Sequence, residues 1–311
     1  MPTKRTYKLL VIIMITGLTQ FLGLTANAEP KIYPRQVNLS GNVFHFSMPE
    51  NFSKDMPAEN MVESLNIEDL QKFDNPEYGN IIRRWWDIKK PGFFGKEIGS
   101  VMMDISIQRI PENKKKTLSD KPFNITNRLD FMMMIDEQQH NRFDQLNREV
   151  EPELPGTYAY HFSCCSLLGE RIVSHFRDPI YGNQKWLGYS IAAPLNQLIV
   201  GLALPITKDA FLDVVFTYSP NQNILPREFL DIAYLTTNPI ENSLEVSYRS
   251  GNEMQKLVEQ EWLNKTNGEV MNENYNTILV PLFGPNIHQE IEEGKRSALE
   301  WQNEMNKPLE E

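Results

Sequence analysis

Apolar and polar positions alternate through NVFHFSMPENF, Asn42 to Phe52, until Pro49 interrupts them. A period of two sends successive side chains to opposite faces, so the stretch predicts a strand running into a loop. IIRRWWDIKKPGFFG (Ile81 to Gly95) and GSVMMDISIQRIP (Gly99 to Pro111) predict two more strands, joined by a turn at Pro91-Gly92. In the second of these, Val101, Met103, Ile105 and Ile107 share one face. Between the first strand and this pair, the polar residues 53–80 predict a short helix near Ala58 to Phe73. Beyond the charged loop Glu112 to Pro122 the period changes. Leu129, Met132, Met133, Phe143 and Leu146 recur near helical spacing, which predicts a helix capped by Thr126 or Asn127 and running to about Asn147. Helical neighbours point about 100° apart, so Met132, Met133 and Met134 cannot converge on one ion and read as core filling.

From Gly156 the pattern returns to strands: Thr157 to Leu167, Glu170 to Asp178, Lys185 to Ala193 and Asn196 to Ile206. Turn signals at Gly169, Tyr181-Gly182-Asn183 and Pro194-Leu195-Asn196 separate them. Short connections between consecutive strands imply antiparallel pairing. DAFLDVVFTYSP (Asp209 to Pro220) fits a further strand or a short helix. Pro226 suits a first helical turn, and the helix it opens is expected to end before Pro239. Two helices are predicted later, Asn252 to Gly268 and Ile287 to Lys307, with the short apolar stretch Asn276 to Pro285 between them. The pattern as a whole predicts an α+β protein, mainly antiparallel sheet packed by helices, with a more helical C-terminal segment.

The ends divide the chain further. Lys4, Arg5 and Lys8 precede a mostly apolar run from Leu9 to Leu24 and a small-x-small site at Ala26-Asn27-Ala28, the three-part pattern of a cleavable signal peptide. Residues 1–28 are therefore read as a signal, 29–240 as the α+β domain and 241–311 as an acidic, mostly helical segment holding fourteen glutamates against six lysines and arginines. Cleavage after Ala28 would deliver the mature chain to the periplasm, with no membrane insertion afterwards. The formal net charge of −10 becomes more negative once the three leader cations are removed. Such a surface repels phosphate backbones and anionic headgroups, and so disfavours nucleic-acid and membrane-surface roles. A basic protein partner would suit it.

Candidate chemistry is sparse. The only cysteines are the adjacent Cys164 and Cys165, flanked by His161 and His175. Neighbouring Cα atoms stand about 3.8 Å apart across a trans peptide, short of the ~4.4–6.8 Å usual for a disulfide. In a strand the two thiols point to opposite faces, and they read as buried filling; a strained vicinal bond and an intermolecular bridge are the alternatives. A metal centre is the sharper alternative, because imidazole and thiolate suit zinc or copper. His161 and Cys165 share a face, and His175 joins them only if residue 161 pairs with residue 175. GYSIA (Gly188 to Ala192) has part of a nucleophile-elbow pattern, but an apolar strand follows where that elbow needs a helix. No cofactor is predicted. On the surface, Arg83, Trp85 and Trp86 are candidate partner-binding residues, since Trp and Arg carry much of the binding energy at interfaces. The competing reading is a cation–π stack that closes a sheet edge.

FHFSMPENF, a strand running into Pro49 and then Phe52, resembles the opening of PsbP-like and DcrB-like α+β domains. With its signal, acidic body, several strands and a late helix such as Arg227 to Thr237, the chain also resembles periplasmic immunity proteins that neutralise type VI secretion effectors, the lipase-immunity family in particular. That resemblance spans residues 42–240 and implies a non-enzymatic binder of a toxic partner. It carries over no functional residue. The expected function is thus neutralisation of a secreted effector by occlusion. The alternatives are a metal- or thiol-dependent enzyme centred on His161, Cys164, Cys165 and His175, and an envelope-assembly factor.

Overall fold

A computed structural model describes residues 31–53, 60–69, 78–91, 95–110, 124–150, 178–193, 197–221, 224, 226–266, 269–270, 289 and 296. Among the described residues, two main sheets, a small hairpin and two long helices make up an α+β fold. The smaller sheet holds β1 (Ile32–Leu39), β2 (Asn42–Pro49), β3 (Ser64–Leu65) and β11 (Glu245–Ser247), in the order β11-β2-β1-β3. Its pairs are antiparallel except β1 with β3. The larger sheet is antiparallel throughout. It holds β4 (Tyr78–Lys89), β5 (Glu97–Arg109), β8 (Leu187–Ala193), β9 (Gln197–Thr207) and β10 (Ala210–Pro220), in the order β4-β5-β10-β9-β8. A small hairpin, β6 (Ile180–Tyr181) with β7 (Gln184–Lys185), precedes β8.

The inner face of the larger sheet follows from the period of two. Val101, Met103, Ile105 and Ile107 on β5 lie opposite Tyr218, Phe216, Val214 and Leu212 on β10, and all eight are buried. Each such side chain contributes about 2 kcal/mol on burial. The smaller sheet turns Val37, Leu39, Phe44, Phe46, Met48 and Val246 into the same core cluster. Between Tyr181 and Gln184 the chain turns in two residues, Gly182 and Asn183, at φ 54° and 61°. This is the hairpin geometry that residues able to take positive φ make accessible.

Helix α1 (Arg128–Val150) begins where the sequence places it, with Asn127 Oδ1 accepting from the Leu129 and Asp130 amides at 2.9 and 3.2 Å. It covers one end of the outer face of the larger sheet. Phe131 packs edge-on to Phe211 at 5.4 Å, and Gln138 donates to Gln108 at 3.2 Å. Helix α2 (Pro226–Glu241) packs on the inner face, where Tyr218 and Thr237 hydroxyls meet at 2.9 Å.

Three expectations change. The described part of Ala58 to Phe73 is no helix: Ser64–Leu65 pairs with Asn38–Leu39, and the Val62 amide donates to the Ile81 carbonyl at 3.0 Å. Neighbouring strands satisfy that backbone, which removes the need for helical bonds. Helix α2 runs through Pro239. Its last turn is held from outside, by Ser243 Oγ on the Ile240 carbonyl at 2.7 Å and by Tyr181 on Glu241 at 2.8 Å, with Ile240 buried. Finally, the helix expected from Asn252 is short. Asn252 caps α3 (Glu253–Lys256), which widens at once into a π turn over Leu257–Glu261. The stretch 245–262 also supplies β11 to the smaller sheet and Met254, Leu257, Val258 and Trp262 to the core.

Candidate binding surface

The tryptophan strand separates into a structural face and an outer one. Trp86 is 1 % exposed and belongs to the core, so it is a packing residue and is withdrawn as a contact for a partner. Phe52 lies 5.9 Å from its ring, and the buried Arg84 guanidinium stacks on Phe52 at 5.0 Å. This is a cation–π stack at the margin of the larger sheet, where the Ser53 amide donates to the Trp85 carbonyl at 2.8 Å. On the outer face Arg83 forms an ion pair with its cross-strand neighbour Asp104, through Nε at 2.8 Å and through a second, shorter contact. Trp85 is half-buried beside it. Of the three residues, Arg83 and Trp85 keep a surface position.

Helix α2 presents a surface that the sequence reading did not single out. Phe229, Ala233, Thr237 and Ile240 fill the core, while Tyr234 and Leu235 are 37 % and 55 % exposed. Ile180, at 57 %, completes the exposed large hydrophobics of the described residues. The hydrogen bond from Tyr181 to Glu241 ties the hairpin carrying Ile180 to the last turn of α2. Tyr234 stands against Tyr218 at 5.4 Å, which fixes one side of its ring. At the other end of the helix Glu228 pairs with Lys90 at 2.7 Å. A trace of this surface is visible in the sequence: FLDIAYL has six apolar residues in seven, more than one helical stripe can bury.

Two buried polar clusters serve the interior. Tyr189 donates to Asp213 at 3.0 Å and accepts from Gln139 at 3.2 Å, linking β8, β10 and α1 across β9. A Cβ at Gly201 would overlap the Tyr189 ring, so glycine on β9 is what lets the ring cross to Asp213. The second cluster joins Arg128 at the start of α1 to Asp178 at 2.5 Å, with the Trp262 ring 4.7 Å from the guanidinium and Lys185 3.9 Å from the same carboxylate. Burial lowers the pKa of both cations, and Asp178 offsets part of that shift. Both cations are closed off from solvent, and the cluster ties the start of α1 to Asp178 and Trp262.

Ser190 of the partial nucleophile elbow lies within strand β8, away from any strand-to-helix turn. His161, Cys164, Cys165 and His175 lie outside the described residues, as do the strand expected over Thr157 to Leu167 and all but the last residue of the one expected over Glu170 to Asp178. Among the described residues no three His, Cys, Asp or Glu side chains group as metal ligands. Compared with known proteins, the chain matches no family model, no curated protein and no solved structure.

Proposed function

We propose that the protein is an exported, non-enzymatic binding protein that neutralises a secreted antibacterial effector by covering it. The observation that carries this reading is the Tyr234–Leu235 pair, apolar and solvent-facing on a helix whose opposite side is anchored in the core. Exposed apolar groups on a rigid element cost solubility and mark contact surfaces when they cluster. Tyrosine, moreover, is among the residues that most often dominate binding energy. The acidic charge of the chain supports a basic partner, which it would attract over a distance and hold in register. Residues 1–28 support export, so the encounter would take place in the periplasm.

The test is protection. The reading predicts a neighbouring gene for a secreted toxin; cells expressing that toxin should survive when the full chain is co-expressed, and should die when its signal is deleted. Protection should persist when Cys164 and Cys165 are both replaced by serine. Loss of protection in that double variant, with the protein still folded, would transfer the function to the thiols.

A further inference from the structure

A cavity of about 530 Å³ opens where the turn after β3, the end of β5, the β9–β10 turn and the connection from β11 to α3 converge. Its charged lining is balanced, with three cations, Arg109, Lys208 and Arg249, and three carboxylates, Glu68, Asp209 and Glu253. Four of the six are already engaged. Arg249 pairs with Glu68 at 2.7 Å. Arg109 donates to the Ile67 carbonyl at 2.6 Å, with Asp209 as its nearby counter-charge. Lys208 and Glu253 remain, one of each sign, with no side-chain hydrogen bond or ion pair to another described residue.

The walls are fixed before any ligand arrives. Asn252 donates to Asn42 at 2.8 Å and to the Ile206 carbonyl at 3.0 Å, and its oxygen accepts from the Met254 amide at 2.9 Å. The Arg249 amide donates to the same Asn42 oxygen at 3.1 Å. The backbone around Arg249 and Asn252 is thereby pinned to both sheets, so binding has to order only the exposed side chains of the lining. Its volume lies within the range of small-molecule sites, roughly 300–1,000 Å³.

We propose that this cavity binds a small zwitterion carrying one carboxylate and one ammonium, as a free α-amino acid or a dipeptide does. Lys208 takes the carboxylate and Glu253 the ammonium, each through a charge-assisted hydrogen bond. The engaged pairs disfavour the simpler ligands: a plain anion meets three carboxylates in the lining, and a plain cation meets three positive groups. The site involves neither Tyr234 nor Leu235, so it stands or falls separately from partner binding.

Calorimetric titration of the mature protein at low salt, with L-alanine and with glycylglycine, decides the matter; acetate and ethylammonium serve as single-charge controls. At least one zwitterion should bind at millimolar concentration or below, and which of the two binds more tightly identifies the ligand's length. Lys208→Ala and Glu253→Gln should each weaken binding by about tenfold or more. Both side chains are exposed, and circular dichroism should show the fold unchanged. The proposal is overturned if neither zwitterion releases heat, if acetate or ethylammonium alone binds as well, or if the two variants bind like the parent.

Discussion

Helices α1 and α2 cover opposite faces of one five-stranded sheet, and they do it with different chemistry. Helix α1 sets apolar Leu129, Phe131, Met132 and Ile135 against the protein but also buries Asp136 and Gln139, and Gln139 reaches the Tyr189–Asp213 bond. Helix α2 buries Phe229, Ala233 and Ile240 and still has apolar groups to spare, which it turns to solvent as Tyr234 and Leu235. Polar groups inside and apolar groups outside both run against simple partition, and they call for different explanations. A buried polar group must be matched, and here it fixes how α1 sits on the sheet. An exposed apolar pair is under no such constraint, and on the function proposed above it is what a partner would cover.

The comparison breaks most severely at the anchored side of α2. Phe229→Ala should cost about 3–5 kcal/mol in denaturant unfolding, because it empties a fully buried site under the helix. Gly201→Ala should cost about 2–4 kcal/mol, since the new Cβ displaces the Tyr189 ring and strips its hydroxyl from Asp213. Tyr189→Phe keeps the ring and removes only the hydroxyl; about 1–2 kcal/mol is expected, and the gap between these two variants measures the overlap itself. Tyr248→Phe should cost about 1 kcal/mol at neutral pH through its lost bond to the Pro205 carbonyl, 2.7 Å in the parent.

The same tyrosine also gives a pH signature. Burial, and secondarily the charge of Glu259, raises the Tyr248 phenol well above its ordinary value of 10.0. In the unfolded chain the phenol loses its proton near that value while the folded protein keeps it. Its stabilising contribution is therefore intact below pH 10 and declines as pH rises towards the folded pKa. Unfolding midpoints measured through that alkaline range should fall in the parent and flatten in Tyr248→Phe. The smallest stability effect belongs to Leu235→Asp, within about 0.5 kcal/mol, because an exposed side chain with no packing task has little to lose.

How much of this was legible in the sequence depends on where each signal resides. Val101 to Ile107 declare their shared face by alternation alone, and the apolar period places the start of α1 at Thr126 or Asn127, of which Asn127 caps it. Strand β1 carries Pro34 and Gln36 among its apolar residues and escaped notice, because its pairing depends on β2 and on the Ser40-Gly41 turn. Pro239 misled because a proline forbids one backbone bond but not a helix whose last turn is held by other elements. Trp85 and Trp86 could not be told apart by type; only the register of β4 on β5 sends one into the core. Tyr234 and Leu235 left a clue in an apolar run too wide for one helical stripe, yet the run does not say which residues stay outside.

Titrating the product of the neighbouring toxin gene that the binding role predicts into the mature protein, and into its Leu235→Asp variant, tests that role most directly. Tight association with the parent, weakened by about a hundredfold or more in the variant while unfolding midpoints stay level, is the expected result. Equal affinity for both proteins would contradict the assignment of the α2 surface, and no association with either would contradict the binding role itself.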